Sequence, residues 1–318
     1  MLRSDVETLE PLLQRYWRTG PVRLAAQPSG HTNKTFRLAC EAGGRVLRVS
    51  WAGKPLEQVR REAALLERLR AVPGLPALPV LIPAVDGQRG VQLPDGRWLH
   101  LFETIDGVPG LPADAHAGTL DAMRVLARLH TALAALPAPE ATPLGWLAAR
   151  HARVAARARP GLPGTLDSEY DELIGRIGAH LVSATGWLTG PAHWLHGDYH
   201  AGNLLYAGNA VSGVLDFDDA GQGAPWLEAA FALFALSRDA LRDDRFVFDA
   251  AIWDAGLQAY AAARLDAAPG WIAARREALM RLFCADQTLI HLEAAQRGLW
   301  TPGAGMGFLG VWRQLMAG

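Results

Sequence analysis

The sequence predicts an α+β protein in two parts, a small antiparallel sheet with one helix spanning residues 1–103 and a larger, mostly helical part spanning 104–318. Three observations predict it. Before residue 104, short β-rich segments alternate with turn residues; after it, the apolar periodicity is helical; and two short strands around a hairpin turn interrupt the helical part.

The strand segments of the first part are VRLAAQ (22–27), KTFRLAC (34–40), RVLRVSW (45–51), GVQL (90–93) and RWLHLFE (97–103). Between them a helix is predicted over 55–71, with Leu56, Val59, Ala63, Leu66 and Leu69 on one face and Pro73 as its stop. Residues 73–83, rich in proline, read as a rigid connector. The second part predicts helices over 114–135, 144–158, 165–188 and 225–238, an Ala-rich helical series over 245–297 and a last helix over 305–316. NLLYA (203–207) and VSGVLDF (211–217) read as strands joined through Gly208-Asn209, a hairpin turn signal.

Composition narrows the function classes. The chain is half hydrophobic with a mean hydropathy of +0.06, and no apolar run approaches the ~20 residues that span a bilayer. Its first residues are acidic and amphipathic where a secretory signal is basic and then apolar, so a cytoplasmic protein is expected. Cys40 and Cys284 lie far apart without metal-ligand spacing, and the eleven tryptophans are scattered like core residues. A net charge of −1 leaves no footprint for nucleic acid or an anionic membrane. The charge is divided unevenly. Residues 1–103 carry 15 Lys and Arg against 10 Asp and Glu, and residues 104–318 carry 16 against 22. The basic part suits a polyanion and the acidic part is compatible with a cationic small molecule. Nearly all the cations are arginine, since Lys34 and Lys54 are the only lysines.

The chemistry concentrates in HGDYHAGN (196–203) and LDFDDAG (215–221). Asp198 and Asn203 sit five residues apart ahead of one strand of the hairpin, and Asp216 follows at the end of the other. Phosphoryl transfer wants such a set, a carboxylate to orient and deprotonate an acceptor hydroxyl together with hard oxygen ligands for Mg²⁺. The spacing mirrors the catalytic loop and Asp-Phe pair of kinases.

At these residues the sequence resembles the kinase-like phosphotransferases that include aminoglycoside phosphotransferases, choline kinases and type II homoserine kinases. HGDYHAGNLL and GVLDFDDAGQGAP carry the likeness, and SGHTNKTFRL, RVLRV, REAALLERL, LFETIDG and RVLARLH follow the family's order of parts. The resemblance implies a bilobal protein-kinase-like fold that uses ATP and Mg²⁺, with Asp198 as the catalytic base and Asn203 and Asp216 as metal ligands. It implies that Ser29, Gly30, His31, Thr32 and Asn33 fold over the phosphates and that Arg48, tied by Glu62, contacts them. The backbone from Glu103 to Ile105 is expected to hydrogen-bond adenine, with Val46 and Leu101 among the apolar walls.

Two features depart from the family's pattern. The phosphate cation is arginine where many kinases use lysine, and PWLEAA supplies Glu228 where an aspartate is usual. Glu228 is expected to support the loop from outside the site. His196 is read as a prop for the loop, and His200 as loop structure or a contact to substrate or metal. Asp218 and Asp219 either add to the field at the metal or solvate the loop. The expected activity is ATP-dependent phosphorylation of a hydroxyl on a small-molecule acceptor. The alternatives are a protein serine/threonine kinase, a nucleotide-binding pseudokinase, and a dinuclear metallophosphoesterase using His196, Asp198, His200 and Asp216. Neither the oligomeric state nor the acceptor is legible.

Overall fold

The computed structural model describes residues 2–27, 33–40, 43–137, 142–264 and 268–317. The chain forms two compact units, one of Met1–Pro73, Ala77–Asp106 and Val214–Asp218, the other of Gly74–Pro76, Gly107–Gly213 and Asp219–Gly318.

The first unit opens with helix α1 (Leu2–Trp17) and continues through β1 (Arg23–Gln27), β2 (Lys34–Cys40), β3 (Gly43–Val49), α2 (Leu56–Arg70), β4 (Leu81–Ile82), β5 (Val91–Gln92) and β6 (Trp98–Glu103). The strands form one antiparallel sheet in the order β1-β2-β3-β6-β4, with β5 also paired to β6. Alternation assigns its faces. Phe36, Leu38, Leu47, Val49, Leu99 and Leu101 point to one side and form a core with Leu9 and Leu13 of α1. On the other side Arg48 stands opposite His100, and Val46 opposite Phe102. Helix α2 buries Val59, Glu62, Leu65, Leu66 and Leu69, whereas Leu56, expected on its apolar face, is 43% exposed. The proline-rich connector proves to contain β4, which is too short for a periodic signal.

The second unit contains β7 (Val108–Pro109), α3 (Ala115–Ala134), α4 (Gly145–Ala156), α5 (Thr165–Thr185), β8 (His193–Leu195), β9 (Leu204–Ala207), β10 (Ala210–Val214), β11 (Gly221–Gly223), α6 (Pro225–Ser237), α7 (Ala250–Ala263), α8 (Pro269–Ala273), α9 (Arg276–Gln296) and α10 (Phe308–Met316). Helix α6 is buried almost all round, and Phe231 and Phe234 make edge and tilted contacts with Phe283 of α9. Proline and capping divide the Ala-rich series into three helices. The Asp249 carboxylate accepts the amides of Ala251 and Ile252 at the start of α7, and Pro269 begins α8. Tryptophan plays two parts, since Trp253 and Trp312 fill the core while Trp187, Trp226 and Trp271 form a half-buried cluster with Arg275 stacked 4.1 Å from the Trp271 ring. Cys284 is a buried free thiol. Among the described residues, no helix is long and apolar enough to cross a membrane.

The hairpin is part of a three-stranded sheet, β10-β9-β7, and β8 pairs with β11. Gly208 provides the positive φ of the turn at 62°. The strand predicted to run to residue 217 ends at Val214, and Asp216 takes a left-handed conformation with φ 57°.

Candidate active site

In the second unit, β8 delivers the chain to His196 and Gly197. Gly197 has φ +88°, and a Cβ there would lie 2.0 Å from the Asp219 carbonyl oxygen, so no larger residue fits this bend. The next residue is Asp198. Its carboxylate Oδ2 accepts from Asn203 Nδ2 at 3.0 Å and lies 3.3 Å from His200 Nε2, and its carbonyl accepts a second bond from Asn203 Nδ2 at 2.9 Å. His200 Nδ1 accepts the Gly202 amide at 3.0 Å, closing a short 3-10 turn over Ala201–Asn203. Burial raises the Asp198 pKa, but the hydrogen bond and charge of His200 and the fields of His196 and Arg150 outweigh it and hold the pKa at about 2. Asp198 is therefore an ionised acceptor at neutral pH.

A buried polar stack braces this loop from below. Glu228, on the first turn of α6, accepts the His196 amide at 3.1 Å and the Gly197 amide at 2.5 Å. Its Oε2 also lies 2.7 Å from His130 Nε2, and His130 Nδ1 lies 2.8 Å from the Tyr260 hydroxyl. Burial, opposed by Glu228, lowers the His130 pKa, which favours a neutral imidazole. His196 is fully buried, and its Nδ1 accepts the Asp198 amide at 3.2 Å. Glu228 and His196 thus act on the backbone of the loop.

The first unit holds the other half of the predicted set. Arg48 Nη2 contacts Glu62 Oε2 at 2.5 Å and Nη1 contacts Asp216 Oδ1 at 3.0 Å, so one guanidinium joins β3 to α2 and to the Asp216 segment. Although burial opposes its charge, Glu62, Asp216 and Asp218 together raise the Arg48 pKa above its ordinary value. Lys54 is buried beside it, 3.4 Å from Glu62 and ion-paired with Asp218. Asp218 also accepts from Asn33 Nδ2 at 3.2 Å and from Gln58 Nε2 at 3.3 Å. Two cations and three carboxylates form one network.

The predicted residues divide as follows. Asn33, Arg48, Glu62 and Asp216 come together in the first unit, and Asp198 and Asn203 in the second. Ser29, Gly30, His31 and Thr32 lie outside the described residues. Val46 and Leu101 do not share a face. Leu101 packs against the α1 core, and Phe102 is the residue beside Val46, 5.0 Å from the Arg48 guanidinium. The Glu103 amide is already donated to Val80 O at 3.0 Å, while Ile105 lies beyond the last strand residue.

Sequence reasoning missed Lys54, Gln58, His130, Tyr260 and Arg150. Only Lys54 left a signal, as one of two lysines in an arginine-rich chain. The metallophosphoesterase alternative requires a cluster of metal-ligating side chains, and no group of three or more His, Cys, Asp and Glu suited to a metal ion occurs among the described residues.

The profile of the phosphotransferase enzyme family matches residues 24–274, most of the chain. The chain belongs to that family. No curated protein sequence gives a significant match to this phosphotransferase. Solved structures are similar to it throughout. A microcompartment-associated aminopropanol kinase is 19% identical with a TM-score of 0.70, the match covering 98% of this chain and 94% of that one. An amicoumacin kinase in complex with AMP-PNP, Ca²⁺ and Ami is 13% identical with a TM-score of 0.72, covering 98% and 93%. A macrolide 2'-phosphotransferase from Brachybacterium faecium is 23% identical with a TM-score of 0.60, covering 93% and 99%. The phosphotransferase therefore has the protein-kinase-like fold, with a sheet-and-helix N-terminal part and a mostly helical C-terminal part.

Proposed function

We propose that this phosphotransferase transfers the γ-phosphate of ATP to a hydroxyl group of a small molecule. The observation that carries the reading is Asp198, an ionised carboxylate fixed by Asn203 on a loop braced through its backbone by Glu228. Asp198 accepts the acceptor hydroxyl's hydrogen bond, orients its oxygen and takes its proton as the new O–P bond forms. The bond between the γ-phosphorus and the bridging oxygen breaks, and ADP departs with that electron pair. Arg48 neutralises phosphate charge, and Glu62 holds its guanidinium in place. Val46 and Phe102, on the same face of the sheet, are the apolar contacts for the adenine.

Asn203 donates through Nδ2, so its amide oxygen is the atom it can offer a cation, and Asp216 offers a carboxylate one-third exposed. Each is a hard oxygen donor of the kind Mg²⁺ takes, and a bound Mg²⁺ would neutralise charge on the nucleotide phosphates. The family membership supports the transfer chemistry. The small-molecule kinases among the structural neighbours support a small acceptor over a protein one.

The test is ADP release by the purified protein with ATP and Mg²⁺ over a panel of amino alcohols, amino acids, sugars, aminoglycosides and a generic protein substrate. Turnover of a small hydroxylated acceptor, abolished in Asp198→Asn while AMP-PNP still binds, is the expected result. Failure of the wild-type protein to bind AMP-PNP sinks the reading.

A further inference from the structure

Helix α4 carries Arg150 and Arg153, and Arg157 caps its C-terminus, so the three follow at intervals of three and four. Opposite it, α9 supplies Asp286 and Glu293, with Arg297 as its C-cap. Arg150, at the inner end, is buried and ion-paired with Asp286. The outer end is arranged differently, because Glu293 Oε1 is shared by Arg153 at 2.9 Å, Arg157 at 3.4 Å and Arg297 at 2.8 Å. Three guanidiniums converge there on one carboxylate. Glu293 is 9% exposed at its side chain, whereas Arg153, Arg157 and Arg297 are 47%, 40% and 26% exposed.

The arginine series begins beside the loop that carries Asp198. Helix α4 packs on β11, which pairs with β8 immediately ahead of His196. The charge of Arg150 reaches Asp198 and Asp219, and that of Asp219 reaches Arg297. Burial lowers the Arg297 pKa, Glu293 and Asp219 act against that shift, and Arg157 and Arg153 add to it. From Arg150 to its end at Ala156 the helix advances about 9 Å.

We infer that the arginines at the outer end of α4 and α9 bind an anionic group, a carboxylate or a phosphate, on the far end of the acceptor whose hydroxyl Asp198 engages. The inference rests on the kinase reading above and assigns its substrate class. It runs against the summed charge of residues 104–318, which is acidic. At the outer end, however, three guanidiniums share one carboxylate, and guanidinium pairs present the forked donors that carboxylates and phosphates accept.

A matched trio tests it: ω-hydroxyhexanoate, hexanediol and ω-aminohexanol share a hydroxyl and a chain length and differ only in terminal charge. Their affinities are measured by calorimetry on the protein saturated with AMP-PNP and Mg²⁺, in wild type and in an Arg153→Glu/Arg157→Glu double variant. Both replaced side chains are largely exposed, and an unchanged AMP-PNP affinity reports a folded variant. The expected result is binding of the hydroxy acid about tenfold or more tighter than the amine, with that preference lost or reversed in the variant. Equal or opposite preference in the wild type, an unaltered preference in the variant, or binding of none of the three overturns the inference. Should AMP-PNP itself fail to bind, the kinase reading falls and takes this assignment with it.

Discussion

Glu228 and His130 lie 2.7 Å apart beneath the loop that carries Asp198, and the same carboxylate accepts the amides of His196 and Gly197. Replacing Glu228 with alanine leaves both amides and the imidazole without their acceptor. A stranded buried donor costs ~1–3 kcal/mol, so Glu228→Ala is expected to lower stability by several times what a typical surface substitution does. Urea denaturation measures that loss. Turnover should fall by more than about tenfold in protein that remains folded, because the bend presenting Asp198 loses its brace.

Lys54 occupies the interior of the first unit between Glu62 and Asp218. Lys54→Met is close in shape but leaves the Asp218 carboxylate without its cation while Glu62 keeps Arg48, and breaking a buried pair in this way costs ~3–5 kcal/mol. Thermal unfolding is expected to show a drop of that size. An additional Asp218→Asn replacement should recover part of it by removing one unpaired charge, and no recovery would place the effect in packing alone.

His100 is 1% exposed, and neither ring nitrogen has a hydrogen-bond partner. Burial first, then the fields of Arg48 and Lys54, hold its pKa well below 6.5. The unfolded chain takes up a proton as pH falls through about 6.5, whereas the folded chain does not, so His100 is neutral to stability above that value and destabilising below it. Its contribution to the slope is up to ~1.4 kcal/mol per pH unit. His100→Leu is expected to retain stability at pH 7 to 8 and to flatten the loss on the acid side. Unfolding curves taken at a series of pH values between 7 and 5 check both.

Gly197 and Gly208 both adopt positive φ, at 88° and 62°, but only Gly197 faces a backbone atom. A Cβ at Gly208 meets nothing within 4 Å, so Gly208→Ala should cost only the ~1–2 kcal/mol of a left-handed alanine. Gly197→Ala must displace the Asp219 carbonyl or the loop that carries Asp198. It should abolish turnover, with a larger fall in melting temperature than the hairpin variant shows. Comparable activity in the two variants would refute the steric account.

The strands around Arg48 and the helix carrying Glu62 were legible because alternation and helical periodicity are local patterns. The spacing of Asp198, Asn203 and Asp216 was legible for the same reason. The limits were also local in origin: strands β4, β7, β8 and β11 are two or three residues long and carry no period. Leu101 read as a pocket residue because its face depends on pairing with Leu47, and register between strands more than fifty residues apart has no single-sequence signature.

The sequence by itself determined the order of elements, the family and the identities of the residues proposed for phosphoryl transfer, since each is encoded within short windows of the chain. The tertiary structure decided which charges meet. It placed Lys54 against Asp218, Glu228 beneath Gly197, and Arg153 and Arg157 against Glu293 of α9. Those partners are separated by 31 to 164 residues. Helix packing and strand register bring them together, so a summed charge over residues 104–318 could not reveal that three of its guanidiniums share one carboxylate.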